Sequence, residues 1–210
     1  MAAEGGNAEI AHAGLAAEMP ARAEAELPRD LGKLATRIRR CTRCSLAASR
    51  AHAVPGAGAA RARLLLVGEA PGRSEDEAGR PFCGAAGKVL DEALLRAGIP
   101  RSEVFITNAV KCRPPGNRRP RDAELAACRP YLLAQLAAVR PRAIVALGQT
   151  AVRDLLGPGA SLARLRGRWS TFGGVPLLPT YHPAAVLYNR QLLRRLATDL
   201  GKARRRTEAR

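Results

Sequence analysis

The sequence predicts an α/β fold in which a parallel sheet lies between helices, and three features carry that prediction. Four short runs, residues 64–68, 104–108, 143–148 and 176–181, are largely apolar, the composition of strands buried on both faces. Stretches with helical apolar spacing separate them, and such alternation of strand and helix builds parallel sheets. With 210 residues, the chain is long enough to bury a full core around one such sheet.

Residues 1–29 are rich in Ala, Glu and Gly without sustained periodicity and are expected to form a mobile extension. Asp30 can cap a helix whose apolar face is Leu31, Leu34 and Ile38. That helix runs into Cys41-Thr42-Arg43-Cys44, and a Gly/Pro/Ala-rich linker over residues 47–63 leads to the first strand. The strand stops at Gly68-Glu69-Ala70-Pro71-Gly72, followed by Glu75, Asp76 and Glu77 and then by an isolated Phe82. Ligands of parallel sheets sit at the carboxyl ends of strands. Glycines there let the backbone approach a ligand, and Pro71 stiffens the turn.

Farther along, Val89, Leu90, Ala93 and Leu94 share a helix face that Gly98 ends. After the second strand, a helix over residues 122–139 carries Leu125, Cys128, Leu132, Leu133 and Leu136. The third strand leads into a short helix at 150–156, stopped by Gly157-Pro158-Gly159. A last helix over about residues 190–201 precedes a basic tail, 201–210, so one domain is expected over residues 30–200.

The formal net charge is +17. Residues 1–30 hold six acids and two bases, a balance of −4, which leaves +21 on the other 180 residues. A field of that sign draws a polyanion, and nucleic acid is the commonest one. Arginine makes up 31 of the 35 basic residues, as GC-rich codon usage would also produce, but codon usage does not explain the shortage of acids. No basic segment followed by an apolar core opens the chain, and no apolar stretch approaches 18 residues. A cytoplasmic protein without a membrane partner is expected, with its cysteines reduced.

Four of the five cysteines form a pattern. Cys41 and Cys44 make a CxxC turn, and Cys112 and Cys128 follow with fifteen residues between them. Cys112 stands just past a strand end and Cys128 on the next helix, so the fold can gather all four. Such a set holds structural zinc or a [4Fe–4S] cluster, and spacing alone does not choose between them. Cys83, beside Phe82, reads as a small filler. After Cys112, residues 113–121 supply Arg113, Arg118, Arg119 and Arg121 on a proline-stiffened loop suited to phosphate contact. Asn108 ends the second strand and His182 follows the fourth, at the same sheet edge as Glu69. Glu, Phe, Asn and His converging on one crevice make a pocket for a planar, hydrogen-bonding ligand.

These residues resemble the type 4 uracil-DNA glycosylases, the iron–sulfur members of the uracil-DNA glycosylase superfamily. The resemblance rests on Cys41-x-x-Cys44, GEAPGRSEDEAGRPFCG (68–84), ITNAVKCRPPGNR (106–118), ACRP (127–130), VALG (145–148) and LPTYHPAAVL (178–187). It implies a three-layer α/β/α fold with a central four-stranded parallel sheet and an N-terminal helical segment bound to a [4Fe–4S] cluster. The cluster would sit on Cys41, Cys44, Cys112 and Cys128. It implies excision of uracil from single- and double-stranded DNA by a monomer, with Glu69, Ala70, Pro71, Phe82, Asn108 and His182 around the base.

In that reading Phe82 stacks on the flipped uracil. Asn108 pairs with N3–H and O4, and His182 donates to O2 as charge grows there. Ala70 stands where another branch of the superfamily keeps a water-activating aspartate. Glu69 is therefore expected to position the water, with Glu75 as second choice. Val186 and Leu187 are expected to wedge into DNA, and the arginines at 113, 118, 119 and 121 to hold its phosphates. No histidine lies between Cys112 and His182, so the basic loop lacks the residue by which one branch bonds covalently to DNA, and a turnover enzyme is expected. A non-catalytic iron–sulfur DNA-binding accessory protein on the same fold is the competing reading.

Overall fold

The computed structural model describes residues 27–208. The expected mobile extension falls almost wholly outside them.

A six-stranded sheet runs through the middle, in the order β1-β3-β2-β4-β6-β5. The four apolar runs are its core: β2 (Leu64–Gly68), β3 (Val104–Asn108), β4 (Ala143–Leu147) and β6 (Val175–Thr180). They pair in parallel, with Gly68 opposite Asn108 and Leu147 opposite Thr180. The expected four parallel strands are thus the centre of the sheet and not the whole of it. Two short antiparallel strands, β1 (Ala57–Gly58) on β3 and β5 (Ser170–Phe172) on β6, make the sheet mixed. β5 turns back into β6 at Gly173 and Gly174, both at positive φ, which suits a tight hairpin. β1 lies inside the stretch expected to be linker.

Alternate residues of each central strand point to opposite faces. Leu64, Leu66, Ile106, Val145 and Leu178 pack under α3 (Ala85–Arg96) and α8 (Leu192–Glu208). Leu65, Val67, Phe105, Ile144 and Ala146 pack under α4 (Asp122–Val139) and α5 (Gln149–Leu156), with the short α6 (Leu162–Leu165) against the same cluster. This two-sided burial explains why the strands read as unbroken apolar runs.

A third cluster fixes α1 (Leu31–Arg39) to α4 through Leu34, Ile38, Leu46, Val110 and Tyr131, and the four patterned cysteines belong to it or pack against it. Asp30 caps α1 by accepting from the Lys33 amide at 2.8 Å. The last helix does not stop at Gly201 but continues to Glu208. Leu193, Leu196, Leu200, Ala203 and Thr207 form one buried stripe, and Arg142 donates to the Thr207 carbonyl at 3.1 Å. The expected basic tail is therefore largely the end of a packed helix.

Candidate active site

The carboxyl ends of β2, β3 and β6 bring the expected pocket residues together. Behind β2, the loop over residues 69–72 enters α2 (Arg73–Ala78). Glu75 closes this loop: its carboxylate accepts from the amides of Gly72 (3.1 Å), Cys83 (2.9 Å) and Gly84 (2.8 Å). Arg101 grips the other side, donating to the carbonyls of Pro81 and Phe82 at 3.1 Å each. Between these holds Phe82 sits at φ +49°, a backbone region that a bulky residue adopts only when its surroundings enforce it. Gly87 opens α3 toward it, since a Cβ there would overlap the Phe82 carbonyl.

Asn108 is buried, and its Oδ1 has no hydrogen-bond partner among the described residues. A buried, unpaired acceptor costs about 1–3 kcal/mol, a cost that a bound N–H donor would remove. Gly68 makes room for that oxygen. A Cβ on Gly68 would stand within van der Waals overlap of Asn108 Oδ1 and 2.8 Å from Phe82 Cζ.

His182 caps α7 (Pro183–Tyr188), its Nδ1 accepting from the Ala184 amide at 3.1 Å. An imidazole that accepts at Nδ1 carries its proton on Nε2, so the ring can donate outward. Burial pushes its pKa down to about 4, against a smaller opposite pull from Glu75, and the ring is neutral at physiological pH. Its centroid lies 5.6 Å from that of Phe82, with the planes 33° apart.

The sign of that shift gives a prediction. Between about pH 6.5 and 4 the unfolded chain takes up a proton that folded His182 refuses, so its share of stability falls as pH drops through that window. A donor function of neutral His182 should hold across the same window. A rate profile for the wild-type protein should accordingly have no acid limb near pH 6.5 arising from this residue. A limb at that pH, abolished by His182→Asn, would contradict the assignment.

Glu69 lies half-buried at the end of β2, and its carboxylate accepts from the Thr150 hydroxyl at the start of α5. Ala70 packs toward the cysteine cluster, and Pro71 is buried beside it. The second choice for water, Glu75, has its carboxylate engaged by three loop amides. Val186 does not stand where the expected wedge would act. It is 1% exposed, in the core beneath α7, and cannot enter DNA without leaving the core; α7 presents Leu187 (53%) and Tyr188 (93%) instead. Arg118 is not free either, because it forks onto Glu124 at 2.8 and 2.6 Å and holds that carboxyl down to about 2. Arg113 donates to Asn117 at 2.7 Å, while Arg119 and Arg121 are exposed.

Cys41, Cys44, Cys112 and Cys128 line one cavity together with Arg43, Arg50, Lys111 and Tyr131. Arg50 donates to Cys112 Sγ at 3.1 Å, the Arg43 amide to Cys41 Sγ at 3.4 Å, and the Lys111 amide to Cys128 Sγ at 3.3 Å. Such donors suit thiolates bound to a metal centre. Among the described residues, no three Cys, His, Asp or Glu side chains are drawn together as a single metal ion would require. Cys83 lies apart, donating to the Ser74 carbonyl at 3.3 Å. Sequence reasoning missed Arg50, Arg101, Thr150 and Gly87, whereas Gly68 belongs to the glycine turn expected to let the backbone approach a ligand. Of the four missed, only Gly87 carried a signal, as a small residue near a helix start.

An unpaired acceptor, a ring N–H left free by the Nδ1 cap and an aromatic ring thus stand together at the carboxyl edge of a parallel sheet. Residues 55–202 match the Uracil DNA glycosylase superfamily, and the chain belongs to that family. It is 49% identical over 179 residues to a type-4 uracil-DNA glycosylase of Pyrobaculum aerophilum, covering 81% of this chain and 91% of the relative. A type-4 uracil-DNA glycosylase of Thermotoga maritima is 44% identical over 174 residues (80% and 90%). A type-5 uracil-DNA glycosylase of Pyrobaculum aerophilum is 36% identical over 174 residues (70% and 76%). The resemblance to the type 4 group is borne out. No helix among the described residues is long and apolar enough to cross a membrane.

Proposed function

We propose that the protein is a monofunctional uracil-DNA glycosylase of base-excision repair, releasing free uracil and leaving an abasic site. The buried, unpaired Asn108 Oδ1 is the observation that carries this reading. Uracil offers N3–H to that oxygen, and its O4 can accept from the Asn108 amide NH₂. Cytosine presents the reverse pattern at both atoms and would leave buried groups unpaired. A base inside a duplex cannot reach this pocket, so it must be flipped out, at a cost of a few kcal/mol. Phe82 then stacks on it, and exposed Leu187 and Tyr188 are the groups available to fill the gap in the DNA.

Breaking the glycosidic bond leaves an oxocarbenium-like sugar and a uracil anion. His182 Nε2–H donates to O2 where the charge collects, which lowers the barrier without a proton leaving the ring. Glu69, steadied by Thr150, positions the water that captures the sugar. Arg113, Arg119 and Arg121 contribute phosphate contacts, and Arg118 braces the loop through Glu124.

Cys41, Cys44, Cys112 and Cys128 would hold a [4Fe–4S] cluster, which binds one cysteine per iron and suits thiols placed around a cavity. Its contribution is structural, joining α1 to the sheet and to the arginine loop. The substrates are uracil in single- and double-stranded DNA, and the protein acts as a cytoplasmic monomer. A purely DNA-binding role would leave the unpaired acceptor, the neutral donor and the held carboxylate without use. The test is incubation of iron-loaded protein with oligonucleotides carrying one uracil or one cytosine. An alkali-labile break at uracil alone is expected; no break in either would overturn the reading.

A further inference from the structure

We propose that Lys111 is a positioning residue that ties the uracil-selecting Asn108 to the cysteine-lined cavity, so that pocket geometry depends on the integrity of that cavity. The inference rests on the uracil-pocket reading. Lys111 is 1% exposed, and the pocket chemistry has no need of its charge. Its ammonium donates to the Asn108 carbonyl at 2.5 Å and to Thr107 Oγ1 at 2.8 Å. Its own amide donates to Cys128 Sγ at 3.3 Å, its carbonyl accepts from Val54 at 2.7 Å, and Cys112 is its neighbour in the chain. One residue therefore bonds to a cavity thiol with its backbone and to the peptide of Asn108 with its side chain.

The partners of this lysine are themselves held. Thr107 Oγ1 lies 3.0 Å from Gln135 Oε1, and the Gln135 amide donates to the Pro55 carbonyl, all of it buried. On the far side, the Ala109 amide donates to the Gly68 carbonyl at 2.9 Å, so the Asn108 peptide is clamped between β2 and the lysine. Removing the ammonium would leave the Asn108 carbonyl without this partner and free the peptide that aims Oδ1 into the pocket. Lysines are seldom buried this completely unless paired, and here the pairing reaches a residue that reads the base.

The test uses the cluster-loaded full chain and binding of radiolabelled uracil by equilibrium dialysis, beside affinity for uracil-free duplex and iron content. Lys111→Met, similar in length without the charge, should weaken uracil binding about tenfold, with Lys111→Arg recovering part of it. Duplex affinity and iron content should stay within about twofold of wild type. In an Asn108→Ala background, Lys111→Met should add less than about twofold, because its effect passes through Asn108. Thr107→Val should give the same pattern more weakly, and it decides the matter if Lys111→Met does not fold. Unchanged uracil binding in an iron-replete Lys111→Met or Thr107→Val protein, or an undiminished effect on top of Asn108→Ala, would overturn the proposal. Full uracil binding by Asn108→Ala alone would instead overturn the pocket reading beneath it.

Discussion

Replacing His182 by alanine should slow single-turnover uracil release by about 10²–10³-fold, the usual effect of losing one donor aimed at developing charge. The ring is placed for that task by its own cap: Nδ1 is held by the Ala184 amide, which leaves Nε2–H for the base. Duplex affinity should change little, because the ring faces the pocket and not the phosphates. Alanine also removes the cap of α7, worth about 0.5–2 kcal/mol, so a second variant is needed to separate the effects. His182→Asn can keep an acceptor for Ala184 while withdrawing the Nε2 donor. Both variants should be slow, and only the alanine should lose the stability due to the cap. Normal release by His182→Asn would show that the donor assignment is wrong.

Gly68→Ala should be nearly as damaging although it adds a single methyl. Gly68 does not have a positive φ, so alanine meets no backbone penalty there. What it meets is Asn108 Oδ1 and the Phe82 ring, the acceptor and the stacking face of the pocket. Displacing either by about 1 Å costs on the order of 10²-fold in rate. Overpacking of this kind lowers stability by about 1–3 kcal/mol, so the protein should stay folded and bind DNA while uracil release collapses. Release within a few fold of wild type would mean that the pocket does not lie between these three residues.

The parallel centre of the sheet was legible because β2, β3, β4 and β6 are buried on both sides and read as apolar runs. The edges were not. β1 is two exposed residues, Ala57 and Gly58, with too little sequence to carry a period. β5 could have been read from Gly173-Gly174 between Thr171-Phe172 and Val175, a hairpin signal that passed unnoticed. Gly201 looked like a helix stop, but the buried stripe through Leu200, Ala203 and Thr207 holds α8 together past it.

Of the site, the strand-end residues could be expected to meet because strand ends share an edge. Their partners could not be foreseen. Nothing in the spacing of Glu75 says that three amides will claim it, and six-residue α7 is too short to reveal that Val186 turns inward while Leu187 and Tyr188 turn out. Lys111 was passed over because a lone lysine is by default a surface residue.

The most direct test of the central claim is to compare free uracil with 3-methyluracil as inhibitors of release from a uracil-containing oligonucleotide. The methyl group removes the one proton that the unpaired Asn108 Oδ1 is held to receive. Uracil should inhibit, and 3-methyluracil should be weaker by at least the order of 10-fold that one buried hydrogen bond represents. Equal inhibition by the two would contradict the claim that this oxygen reads the base.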